Sequence, residues 1–269
     1  MCACIAMSVV KTLSGAGWVV GLTCLDDELF VLHQREDNQV EVYSTKTSYV
    51  LLRRFSVNGL GKHRHNDMAS CERRRCLYIS DCSNRCVHKS TPNGDVVAMW
   101  PVPDSSTGLS LTLNNNLLFT CRESRRLLEL SSESGECVRQ VDLKSDIEEP
   151  RFALQLSSEL YVISHCGVNL HRVCVVDAHS DSQVSLSYGR QPGGDVTQFT
   201  FPTHVVVDRD DFLFVGDWGN HRVALLSPRL HLVRCINFKD QQPGRLYLDH
   251  VTRRLYVGFV NGDVTIVQM

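Results

Sequence analysis

The amino-acid sequence predicts an all-β chain, a six-bladed β-propeller. Three observations carry that expectation. A strand–turn–strand unit recurs six times along 269 residues, with copies beginning near residues 29, 77, 117, 160, 213 and 255, roughly 40–53 residues apart. Each copy has a short apolar run just before it, and four have another after it, which makes four strands per repeat, as in a propeller blade. The last copy ends after three strands, while an apolar, β-branched stretch at residues 5–14 has no place in the other repeats.

The elements can be justified in order against the clearest copy, LFVGDWGNHRVALLS (213–227). In it, two apolar runs flank the turn DWGN, whose Asp217, Gly219 and Asn220 all tolerate turn geometry. The first repeat opens with VVGLTCL (19–25), and its core LFVLHQREDNQVEVYS (29–44) aligns with one inserted residue. The second, DMASC (67–71) then LYISDCSNRCVHKST (77–91), aligns without a gap and continues into VVAMWPV (96–102). The third, LSLTL (109–113) and LLFTCRESRRLLELS (117–131), is also gapless, with CVRQVDL (137–143) after it. The fourth, FALQL (152–156) and LYVISHCGVNLHRVCVVD (160–177), has about three extra residues in its turn, followed by QVSLSYG (183–189). In the fifth, VVVD (205–208) precedes the reference core and LVRCINF (232–238) follows it. The sixth, RLYLD (245–249) and LYVGFVNGDVTIVQ (255–268), needs one deletion.

A single domain spanning 1–269 follows, with blades at about 18–55, 65–103, 107–143, 150–189, 202–238 and 244–269 plus 5–14. Pairing residues 5–14 with VTIVQ (264–268) closes the ring and removes two open strand edges.

Composition narrows the function classes. A formal net charge of −2 gives no global attraction to nucleic acid. No apolar run reaches the roughly 18 residues of a membrane span, and the first residues make a poor signal peptide, so a cytoplasmic protein without membrane contact is expected. Twelve cysteines are many, yet no CxxC spacing occurs, and they read as small core hydrophobes. Cys82 falls on the position of Trp218, and Cys86 on that of Arg222.

The fifth copy, FPTHVVVDRDDFLFVGDWGNHRVALLS, resembles the NHL repeat. The matching residues are Pro202 before the inner strand, Asp208 at its end, then Asp217 and Gly219-Asn220-His221-Arg222-Val223. The second copy keeps Asp81 and Asn84 but has Cys86 in place of the arginine, and the fourth keeps only His171-Arg172-Val173. The resemblance implies an NHL-type propeller similar to the C-terminal domain of tripartite-motif ubiquitin ligases, where the propeller selects a protein substrate or binds RNA. This sequence contains no Cys/His series for a RING.

Function is therefore expected on the loop face formed by the turns and the connections into the innermost strands. The first expectation is a non-enzymatic platform for a protein partner, a substrate-recognition or adaptor module of a ubiquitin-ligase pathway. The second is RNA binding through loop arginines, with Trp218 and Phe199 as stacking groups. The third is a metal-dependent lyase or lactonase, as in related six-bladed folds, for which His204, His65 and Glu149 stand near strand entrances. The residues nominated for partner binding are Trp218, Arg222, Arg122, Arg125, Arg126, Arg64, His65 and Arg172. Asp217, Asn220 and Arg222 also have a structural explanation, as groups that tie down their own turn. No catalytic set, metal site or cofactor is read from the sequence.

Overall fold

The computed structural model describes residues 7–62, 66–180 and 182–269. The strands, β1 (Ser8–Leu13) included, fall into six antiparallel four-stranded sheets. Blade one holds β2–β5 (Trp18–Leu25, Glu28–Gln34, Gln39–Ser44, Leu51–Ser56). Blade two holds β6–β9 (Asp67–Cys71, Cys76–Asp81, Cys86–Ser90, Val96–Pro101). Blade three holds β10–β13 (Ser106–Leu111, Leu117–Cys121, Arg126–Leu130, Cys137–Asp142). Blade four holds β14–β17 (Pro150–Gln155, Leu160–Cys166, His171–Asp177, Gln183–Tyr188). Blade five holds β18–β21 (Pro202–Val207, Leu213–Asp217, Arg222–Leu226, Leu232–Asn237). Blade six holds β22–β24 (Pro243–Asp249, Arg254–Phe259, Val264–Gln268), with β1 as its outer strand.

The ring is closed as the sequence predicts. Ser8 pairs with Gln268 and Leu13 with Val264. The clasp also packs: Leu13 is buried with Val264, Ile266 and Tyr256, and the Thr12 and Thr265 hydroxyls lie 3.2 Å apart. Tyr49 of blade one and Tyr256 of blade six meet edge to face, with their hydroxyls 3.1 Å apart.

Burial follows strand position. The middle strands are sandwiched between neighbouring blades, so β7, β11, β19 and β20 are buried at every residue. Outer strands face water on one side and alternate, as in Leu51–Ser56. The turn after Val207 is fixed by Asp208, whose Oδ1 accepts the amides of Asp210 and Phe212 at 2.9 Å each.

One irregularity recurs where it bears on function. Five of the six innermost strands carry a register shift near their first residues, at Val19/Gly21, Ser106/Gly108, Pro150/Phe152, Pro202/Val205 and Pro243/Arg245. Such bulges re-aim side chains at the rim of a ring. Arg151, Thr203 and Gly244 lie within three of these bulges and line the central mouth.

Candidate functional site

A cleft of about 340 Å³ opens at this mouth, between blades one, four, five and six. Half of its lining is aromatic or cationic, Trp18, Phe201, Trp218, Arg151 and Arg245, and the rest is small or apolar, including Thr203 and Cys166. Trp18 begins β2 and is 36% exposed, and Phe201, just before β18, is 41% exposed. Trp218 heads a single 3-10 turn (Trp218–Asn220) joining β19 to β20.

Local chemistry sets the aromatic wall. Phe201 has φ +56°, a left-handed conformation that a bulky residue adopts only when its surroundings impose it. Its amide donates to His171 Nδ1 at 3.1 Å, and its carbonyl accepts from the Trp218 amide at 3.3 Å. Its ring sits 4.7 Å from the His171 ring and meets Trp218 perpendicularly at 5.9 Å. The Trp218 turn is seated by Gly219, whose amide donates to Thr200 O at 2.7 Å, where a Cβ would strike the Thr200 side chain.

The floor is a buried polar network on the ring axis. Arg245 donates to Val20 O at 2.8 Å, Gly244 O at 2.9 Å and Asn66 O at 2.9 Å, and its Nε lies 3.3 Å from Asp67 Oδ1. Asp67 Oδ2 accepts the Leu109 amide at 3.0 Å and faces His204 Nε2 at 3.7 Å. The His204 ring packs against Phe152 at a tilt of 35°, centroids 3.7 Å apart. All six innermost strands or their lead-ins meet here. Burial works to raise the Asp67 carboxyl, but Arg245 and the facing His204 outweigh it and hold it below the usual carboxylate range. Burial pushes His204 down, against the opposing pull of Asp67.

This network bears on the lyase-type expectation. The carboxylate of Asp67 already has a fixed cation, the Arg245 guanidinium, so a metal on the axis would meet a like charge. Glu149 is engaged by Arg122 at 2.6 Å and Arg151 at 3.3 Å, and His65 lies outside the described residues. Among the described residues, those on the axis do not fit a metal ion.

The nominated residues scatter. Trp218 lines the cleft. Arg222, named as a partner contact, is instead buried: it donates to Asp217 Oδ2 at 2.7 Å and to the carbonyls of Asp195 and Gln198. With Asn220 on Asp217 Oδ2 at 2.8 Å and the Thr200 amide on Oδ1 at 2.7 Å, it braces its own blade. Arg172 is likewise drawn inward, bonding His165 Nε2 and Asp146. Arg126 pairs with Asp142 at 2.7 Å, and Arg125 reaches Ser145 O at 3.4 Å. Arg64, like His65, lies outside the described residues. Phe199, expected to stack on a base, is fully buried against Tyr188.

Sequence reasoning missed Trp18, Phe201 and Arg245, and placed Arg151 only among the loop arginines considered for RNA. Trp18 and Arg245 come from the first and last blades and are joined only by ring closure. Phe201 had a local signal, an aromatic just before Pro202 at a strand entrance, whereas Phe199 is followed by Thr200.

The geometry decides the architecture. The chain is a six-bladed β-propeller. Among solved structures, two of virginiamycin B lyase from Staphylococcus aureus are similar to it. A catalytically inactive variant with quinupristin is 12% identical, with a TM-score of 0.67 over 98% of this chain and 100% of that chain. The selenomethionine-substituted lyase is 9% identical, with the same TM-score and coverage. At these identities the likeness is one of fold. No family model matches the sequence, its NHL-like motif included, and no curated protein matches it. Among the described residues, no helix is long and apolar enough to cross a membrane.

Proposed function

We propose that the propeller is a non-enzymatic recognition module that takes a protein partner at its central mouth, with an apolar or aromatic side chain of the partner seated among Trp18, Phe201 and Trp218. The observation that carries this reading is Phe201, a large ring held half exposed in a left-handed backbone conformation at the edge of a cleft. Strain of this kind is retained where a side chain must be presented, and rigid aromatics in pockets dominate protein interfaces. A role as the substrate-recognition or adaptor part of a ubiquitin-ligase pathway rests on the NHL-like residues of blade five. RNA has weaker support, because Arg126 and Arg172 each face a carboxylate and Arg122 and Arg151 share that of Glu149, which leaves less unpaired charge for phosphate.

The test is selection of a displayed random-peptide library on the immobilised chain, run beside a random single-stranded RNA pool. The expected result is enrichment of peptides with an apolar anchor, weakened at least about tenfold by Phe201→Ala and by Trp218→Ala. Peptides that bind both variants as well as the parent would overturn the reading. RNA binding that falls steeply with salt, and is lost in an Arg122→Glu, Arg125→Glu, Arg126→Glu variant, would replace it.

A further inference from the structure

Blade two departs from blade five at one buried position. Both have an aspartate at the end of the second strand, Asp217 and Asp81, each bonded by the asparagine three residues on. In blade five the aspartate's strand partner is Arg222, whose fixed positive charge neutralises it. In blade two the strand partner is Cys86. On the same face of β8, two residues on and matching Ala224, stands His88. Asp81, Cys86 and His88 are all buried, and their ligating atoms lie within 4.8 Å of one another. His88 Nε2 is 3.1 Å from Asp81 Oδ2 and 3.5 Å from Cys86 Sγ.

We propose that Asp81, Cys86 and His88 bind a single zinc ion, which takes the place that the Arg222 guanidinium holds in blade five. Tetrahedral zinc with bonds of about 2.0–2.3 Å separates its ligand atoms by roughly 3.3–3.7 Å, and the two spacings from His88 Nε2, 3.1 and 3.5 Å, lie within about 0.2 Å of that range. One thiolate, one carboxylate and one imidazole suit a borderline-soft divalent cation. The charges also balance: the ion offsets Asp81 and a Cys86 thiolate, as Arg222 offsets Asp217. On binding, the Cys86 thiol proton leaves for solvent, and the ion takes Sγ, Nε2 and Oδ2, leaving a fourth position. The sequence reading found no metal site because it sought paired-cysteine spacing. These ligands come from both arms of one hairpin.

The experiment starts from full-length protein stripped with a chelator and titrated with cobalt(II), then with zinc. The expected result is one equivalent bound, a thiolate-to-cobalt charge-transfer band that zinc displaces, and a higher melting temperature with zinc. Cys86→Arg with His88→Ala copies the Arg222 and Ala224 of blade five, so it supplies the missing charge while removing two ligands. This variant is expected to melt cooperatively and lose the band. Cys86→Ser gives a second measure: it should lose the band and bind zinc more weakly than the roughly 10–100-fold cost of losing an outer-shell partner. No cobalt band in the parent overturns the proposal, as does a band unchanged in Cys86→Ser.

Discussion

Arg172 Nε lies 2.6 Å from His165 Nε2, an arginine donating to a histidine where blade five sets an arginine against an aspartate. The histidine's Nδ1 lies 3.2 Å from the Glu148 carbonyl, which fixes the proton there and leaves Nε2 to accept. Burial, then the Arg172 charge, push His165 down to about 4. Arg172 in turn finds its carboxylate in Asp146, at 2.6 Å.

A pH dependence follows. His165 binds its proton more weakly when folded than its ordinary 6.5, so its contribution is complete above that value. It is lost as pH falls from 6.5 towards 4, because only the unfolded chain takes up the proton. The loss amounts to about 2–3 kcal/mol near pH 4.5. Urea denaturation of the parent and His165→Gln at neutral pH and near pH 4.5 checks it, the comparison cancelling the other buried histidines. Equal losses in the two proteins would refute the assignment.

The ion pairs of two arginines that each begin a third strand should differ sharply in worth. Arg222 and Asp217 are 7% and 0% exposed, whereas Arg126 and Asp142 are 46% and 69% exposed. Arg222→Ala strands a buried carboxylate and should cost about 3–5 kcal/mol. Arg126→Ala should cost under about 1 kcal/mol. Chemical denaturation of both variants ranks them, and a reversed order would show that the burial argument fails.

Removing residues 1–14 should destabilise the whole ring. The deletion strips Leu13 from its cluster and opens the edge of β24, an invitation to strand pairing between molecules. Expected outcomes are a lower melting temperature, a tendency to associate, and faster hydrogen exchange in Val264–Gln268. An unchanged melt would mean that the clasp is dispensable.

Phe201→Gly separates presentation from packing. Glycine accepts φ +56° without the steric cost of a β-carbon, so relief of strain offsets the lost ring contacts. Stability should change by no more than about 1 kcal/mol, while affinity for selected peptides falls with the ring. A large loss of stability would identify Phe201 as a core residue after all.

What could be read from the chain alone was whatever repeats. Strand character, turn chemistry and a recurring period are local properties, so six copies and a spare N-terminal strand sufficed for the architecture and its closure. Trp218 stood out for a similarly local reason, an indole that its turn does not need. The tertiary structure decided what meets across the ring. Trp18 lines one cleft with Trp218 only because the first and fifth blades share a mouth, and Arg245 reaches Asp67 only across closed blades. Burial, too, is a property of neighbours. Arg222 and Arg126 occupy the same repeat position, yet one is sealed beneath the 195–198 connection and the other faces water. A charge on a loop is thus visible in sequence, while its partner and its solvation are fixed only when the blades are packed.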